Sequence, residues 1–135
     1  MQEDDKVTAT VTLVDDWYNV PDGFYILNTD AVLLGYTQSS GIGYIIRGSQ
    51  GASVMAVSIP LVFNSVEVGE GLAIRAGLLA ALNAGLSKLL VKSESLSVIN
   101  LINRKTSGSD SFVTYIVEDI WKLSSKGRLL SLIFS

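Results

Sequence analysis

Apolar residues recur along this chain with two different periods, and the change from one to the other organises it. Val7–Val14 (VTATVTLV) alternates β-branched residues with polar or small ones, as an extended segment does. The turn-rich set Asp15, Asp16, Pro21, Asp22 and Gly23 then leads into Phe24–Leu34 (FYILNTDAVLL), an aromatic and branched run without helical spacing that predicts a strand. Gly41–Gly48 (GIGYIIRG) and Ala52–Phe63 (ASVMAVSIPLVF) read the same way, with Ser49–Gly51 as the hairpin loop between them. Successive strands with such short connections predict an antiparallel meander.

After Phe63 the period lengthens. Asn64, with Glu67 three residues on, has the spacing of a capping box, and the Leu- and Ala-rich run to Ala84 predicts a helix closed by Gly85. Glu70, Ile74, Gly77, Leu78 and Ala81 share one face of that helix, so a carboxylate lies on its apolar stripe. Ser87–Ser93 (SKLLVKS) predicts a strand, Glu94–Arg104 (ESLSVINLINR) a short helix and Lys105–Ser111 a loop. Phe112–Ser124 carries Ile116, Ile120 and Leu123 at helical spacing, and Arg128–Ser135 (RLLSLIFS) closes the chain as an apolar strand. The order is β-β-β-α-β-α-α-β. Residues 1–16 form an N-terminal extension with an extra strand, and residues 17–135 a single domain.

Composition narrows the chemistry. At 135 residues and 48% hydrophobic the chain has the material for one packed core. Its richest apolar stretch, Gly71–Leu86, is interrupted by Arg75 and Asn83 and is too short to span a bilayer, and the opening MQEDDK is acidic where a signal peptide is basic. The expectation is a soluble intracellular protein with no membrane partner. There is no cysteine and no histidine. That excludes disulfides, thiolate nucleophiles, structural zinc and every imidazole-based pair. Catalysis would have to rest on carboxylates, most naturally with hard divalent ions.

Three acids stand out. Asp30 lies in a strand of otherwise apolar and neutral residues, where an unpaired charge is costly. Glu70 is on the buried stripe, although a first-turn acid also interacts with the helix dipole. Glu94 stands between a strand and a helix, where an ordinary N-terminal acid is equally at home. The formal net charge of −3 gives no broad positive field for nucleic acid. Arg47, Lys88, Lys92, Arg104, Lys105, Lys126 and Arg128 could meet a phosphate backbone locally, but lysines at strand edges and loops usually solubilise. Trp17, Tyr115 and Trp121 have faces for base stacking, though Trp121 keeps helical register with Val117 and Ile120 and fits a core position better. The GIG at Gly41–Gly43 enters a strand and is a hairpin signal, not a nucleotide loop.

Four stretches, in order and spacing, resemble the blocks of the plant ribonuclease H-like domain, which is related to the ribonuclease H of reverse transcriptases in plant retroelements. They are Asn28–Ala31 (NTDA), Gly41–Gly51 (GIGYIIRGSQG), Glu70–Leu86 (EGLAIRAGLLAALNAGL) and Leu89–Asn103 (LLVKSESLSVINLIN), and Trp17 and Pro21 resemble that family's lead-in to its first strand. The resemblance covers Trp17–Ser135. It implies an α/β ribonuclease H-like fold, a five-stranded mixed sheet with flanking helices, here lacking the final C-terminal helix. It also implies a nuclease that uses Mg²⁺ or Mn²⁺ to hydrolyse the RNA strand of an RNA–DNA hybrid.

Residue by residue, the family's first aspartate, in an N-x-D-G-A block, falls on Asp30 with Ala31 in place of the glycine. The glutamate of A-E-x-x-A-L falls on Glu70 with Gly69 in place of the alanine, and the aspartate of V-E-S-D-S falls on Glu94, one methylene longer. These are the implied catalytic and metal-binding residues. A fourth carboxylate belongs to the final helix and has no counterpart before Ser135. The incomplete set implies weak or absent turnover, and the alternative is a catalytically degenerate protein-interaction module. Without that helix Leu129, Leu130, Leu132, Ile133 and Phe134 lack their usual cover, so a homodimer or protein partner is expected at the C-terminal strand.

Overall fold

The computed structural model describes residues 22–33, 40–48, 53–104, 112–125 and 131–134. The elements are β1 (Tyr25–Val32), β2 (Gly41–Arg47), β3 (Ser53–Pro60), α1 (Val66–Asn83), β4 (Lys88–Lys92), α2 (Leu96–Arg104), α3 (Phe112–Ser124) and β5 (Ser131–Phe134). Their order is the expected one. The extended segment at Val7–Val14, the Trp17 and Pro21 lead-in, and the loops at Ser49–Gly51 and Lys105–Ser111 lie outside the described residues. So do the side chains of the C-terminal strand, on which the expected dimer contact depends.

The strands lie side by side as β3-β2-β1-β4-β5. The meander is antiparallel, β1 with β2 and β2 with β3, whereas β4 joins β1 and β5 joins β4 in parallel. A parallel neighbour needs a crossover, and α1 supplies it between β3 and β4. Alternation along the strands sends Leu27, Ile42, Tyr44, Ile46, Leu89 and Val91 into one core with Ile74 and Leu78 of α1 and Ile116 and Ile120 of α3. The opposite face carries Ile26 beside Leu90, with Phe24 against them.

Gly77 allows α1 to sit close on β1, because a Cβ there would come within 2.6 Å of Leu27 Cδ1. The start of α1 differs from expectation. Ser65, not Asn64, is the N-cap: its backbone is extended (φ −146°, ψ 148°) and its Oγ accepts from Val68 N–H at 3.1 Å. Glu67 is therefore at the second helical position and cannot complete a capping box. At the other end Gly85 takes φ +80°, and Gly85 N–H and Leu86 N–H donate to the carbonyls of Leu82 and Ala81, a Schellman closure.

Arg75 pairs with Asp119 at 2.7 Å to tie α1 to α3. The half-buried Trp121 donates its Nε1–H to the Ile102 carbonyl at 3.0 Å, tying α3 to α2, as its core register predicted. Tyr115 is exposed. No described helix is long and apolar enough to cross a membrane.

Candidate functional site

β1 buries Leu27 and Thr29 toward α1 and turns Asn28 and Asp30 to the other face, both exposed. Asp30 is opposite Gly43 of β2, and its Oδ1 accepts from Ala31 N–H at 2.9 Å. The expectation of a costly charge in mid-strand is thus corrected: the carboxylate stands in solvent, and its desolvation penalty is small. It borders an open depression of about 410 Å³ lined by Asn28, Gly43, Ile45, Ala56 and Ser58. By register Arg47, Lys88 and Lys92 belong to the same sheet face. Lys105, Lys126, Arg128 and the Arg104 side chain lie outside what is described.

The parallel pairing of β1 with β4 runs from Tyr25 opposite Leu89 to Asn28 opposite Lys92. Thr29 Oγ1 carries the contact one step further by donating to the Lys92 carbonyl at 3.2 Å. Asp30 and Glu94 each stand two residues beyond the last pair of that ladder, Asn28 and Lys92. Glu94 occupies the bend after β4, exposed, and precedes the helix rather than opening it: Ser95 is the cap of α2, its Oγ accepting from Val98 N–H at 3.4 Å and its carbonyl from Ile99 N–H at 3.0 Å.

Glu70 reaches the same region from the opening turns of α1 and is only 4% exposed, as its place on the apolar stripe predicted. Its Oε1 accepts from Ser93 Oγ at 3.1 Å. Burial raises its pKa, and the negative charges of Asp30 and Glu94 raise it further, against the lowering effects of the Ser93 hydroxyl and the Ala31 N–H. Gly69, next to it, lies under the Phe63 ring, where a methyl group has no room. The phenyl group thus accounts for glycine at this position.

Asp30 and Glu94, both exposed, thus act on the buried Glu70. Among the described residues no three such side chains are drawn together closely enough to form a ready-made metal shell. Two participants were missed in the sequence. Ser93 bonds Glu70, and Ser97 Oγ donates to Glu67 Oε2 at 2.7 Å, joining the openings of α1 and α2. The alternating serines 93, 95 and 97 were their signal.

A family model described as reverse transcriptase-like matches residues 28–134. The chain belongs to the reverse transcriptase-like family. No curated protein matches the sequence. Among solved structures this reverse transcriptase-like chain is similar to ribonuclease H1 from the halophilic archaeon Halobacterium salinarum NRC-1, with a TM-score of 0.74 at 15% identity over 84% of each chain. It is similar to LC11-RNase H1, isolated from compost and solved with an RNA/DNA hybrid, with a TM-score of 0.72 at 18% identity over 82% of this chain and 83% of that one. A foamy viral protease-reverse transcriptase, also solved with an RNA/DNA hybrid, gives a TM-score of 0.65 at 16% identity over 94% of this chain and 20% of that one. At these identities the likeness is one of fold: the reverse transcriptase-like domain is a ribonuclease H-like α/β structure with a mixed sheet.

Proposed function

We propose that this domain binds RNA–DNA hybrids and holds a divalent metal ion through Asp30, Glu70 and Glu94, with little or no hydrolysis in Mg²⁺. The observation that carries the reading is that the charges of Asp30 and Glu94 both act on the buried Glu70, and that Ser93, the residue before Glu94, bonds its carboxylate. Carboxylate oxygens are hard donors that suit Mg²⁺ or Mn²⁺. A bound ion would neutralise phosphate charge and make a water more acidic. Glu70 supplies a fixed oxygen pair, while the exposed Asp30 and Glu94 are free to turn toward it. The hybrid enters the proposal because LC11-RNase H1 and the foamy viral enzyme were each solved with one. The finer kinship to plant retroelement enzymes rests on the sequence blocks alone.

Weak turnover follows from the same arrangement. The side chain at Glu94 has one methylene more than the aspartate of the matching block, and the acids are not preassembled among the described residues. Misplacing a reacting group by about 1 Å can cost on the order of a hundredfold. The sequence has no histidine to assist proton transfer. The test offers the chain, Asp30→Asn and Glu94→Asp an RNA–DNA hybrid, duplex DNA and duplex RNA, with Mg²⁺ or Mn²⁺. The expected result is preferential binding of the hybrid, negligible cleavage in Mg²⁺, and no recovery in Glu94→Asp. Robust Mg²⁺-dependent cleavage lost in Asp30→Asn would overturn the weak-turnover reading, and equal binding of all duplexes would overturn the hybrid reading.

A further inference from the structure

We propose that Ser93 is the positioning residue of this carboxylate group, a single hydroxyl that ties the Glu70 side chain to the backbone bend carrying Glu94. The proposal rests on reading Asp30, Glu70 and Glu94 as one site. Ser93 Oγ donates to Glu70 Oε1 at 3.1 Å and accepts from Ser95 N–H at 3.1 Å. A hydroxyl has one proton. With the Ser95 N–H occupying its acceptor side, that proton is committed to Glu70, and the serine cannot turn round without breaking both bonds. The bond to Ser95 closes a turn about Glu94, of the kind in which a serine side chain bonds the backbone two residues on. Ser95 in turn caps α2, so the turn is anchored at its far end.

Its effect is to relate two ligands of different origin. Glu70 comes from α1 and Glu94 from the β4–α2 bend, and Ser93 bonds both the Glu70 carboxylate itself and the backbone of the bend. The Glu70 carboxylate is thereby fixed relative to the backbone that carries Glu94 before an ion arrives. Ser93→Ala removes both bonds and leaves a buried carboxylate without its side-chain donor. Ser93→Thr keeps the hydroxyl.

The experiment reads the Glu70 side-chain rotamer from three-bond couplings in the full chain without metal. It then reads Mg²⁺ affinity from the amide shifts of Ala31 and Ser95. Wild type and Ser93→Thr should hold Glu70 in one rotamer. Ser93→Ala should show averaging and a Mg²⁺ dissociation constant raised roughly tenfold or more, the usual size of losing a partner that orients a ligand. If Ser93→Ala does not fold, Ser93→Cys gives the same contrast, since a thiol nearly matches the hydroxyl in shape but donates weakly. A single Glu70 rotamer in these variants overturns the proposal. Wild type that binds no Mg²⁺ overturns the metal site instead, while the rotamer still decides the role of Ser93. Mg²⁺ bound equally tightly by wild type and Ser93→Ala overturns the role of Ser93 and leaves the metal site standing.

Discussion

At Glu70, burial and the charges of Asp30 and Glu94 disfavour the ionised form, the Ser93 hydroxyl and Ala31 N–H favour it, and the balance leaves the pKa raised. The folded state therefore keeps this proton to higher pH than the unfolded chain. The stability it contributes is complete below the ordinary carboxyl value of 4.5 and is lost as pH rises through the folded value. Glu70→Gln, whose amide oxygen can still accept from Ser93, should raise the melting temperature by a few degrees at pH 7. The advantage should shrink as pH falls toward 4; melts across that range that show a constant or opposite difference would contradict it. Glu70 was legible in the sequence because helical period places it on a buried stripe. Asp30 was legible by position, but the reason given for it fails, since strand alternation turns it to solvent. Ser93 was only partly legible: the alternating serines 93, 95 and 97 mark the segment, but the partner of Ser93 lies across the fold.

Elements were legible because each has its own period, while their ends depend on backbone geometry that composition does not determine. Asn64 and Ser65 are both good cap residues, and the extended dihedrals of Ser65 decide between them. Ser65→Ala should cost about 1 kcal/mol in urea unfolding and Asn64→Ala close to nothing; the reverse ranking would restore the capping box. Gly77 makes a second case. Alanine there gains roughly 1 kcal/mol of helix propensity. Its methyl group, however, would press on the Leu27 side chain, which is fully buried and has nowhere to move. Overpacking of that kind costs about 1–3 kcal/mol. Gly77→Ala should therefore be net destabilising, read as a lower urea midpoint, and a higher midpoint would show that α1 can lift from β1.

For the whole molecule, the parallel addition of β4 to β1 is what brings acids from distant parts of the sequence to one end of the sheet, and α1 delivers the third from the side. Element order and four short blocks were enough to suggest that topology. How nearly the acids converge was not readable, because it depends on side-chain directions at the ends of a strand, a helix and a bend. The central claim is that Asp30, Glu70 and Glu94 together hold one divalent ion. Its most direct test is paramagnetic broadening of amide signals by substoichiometric Mn²⁺. Broadening should begin at Ala31, Gly71 and Ser95 and disappear in Asp30→Asn. Broadening centred elsewhere, for example on the acidic pair Glu118 and Asp119 of α3, or unchanged in Asp30→Asn, would contradict it.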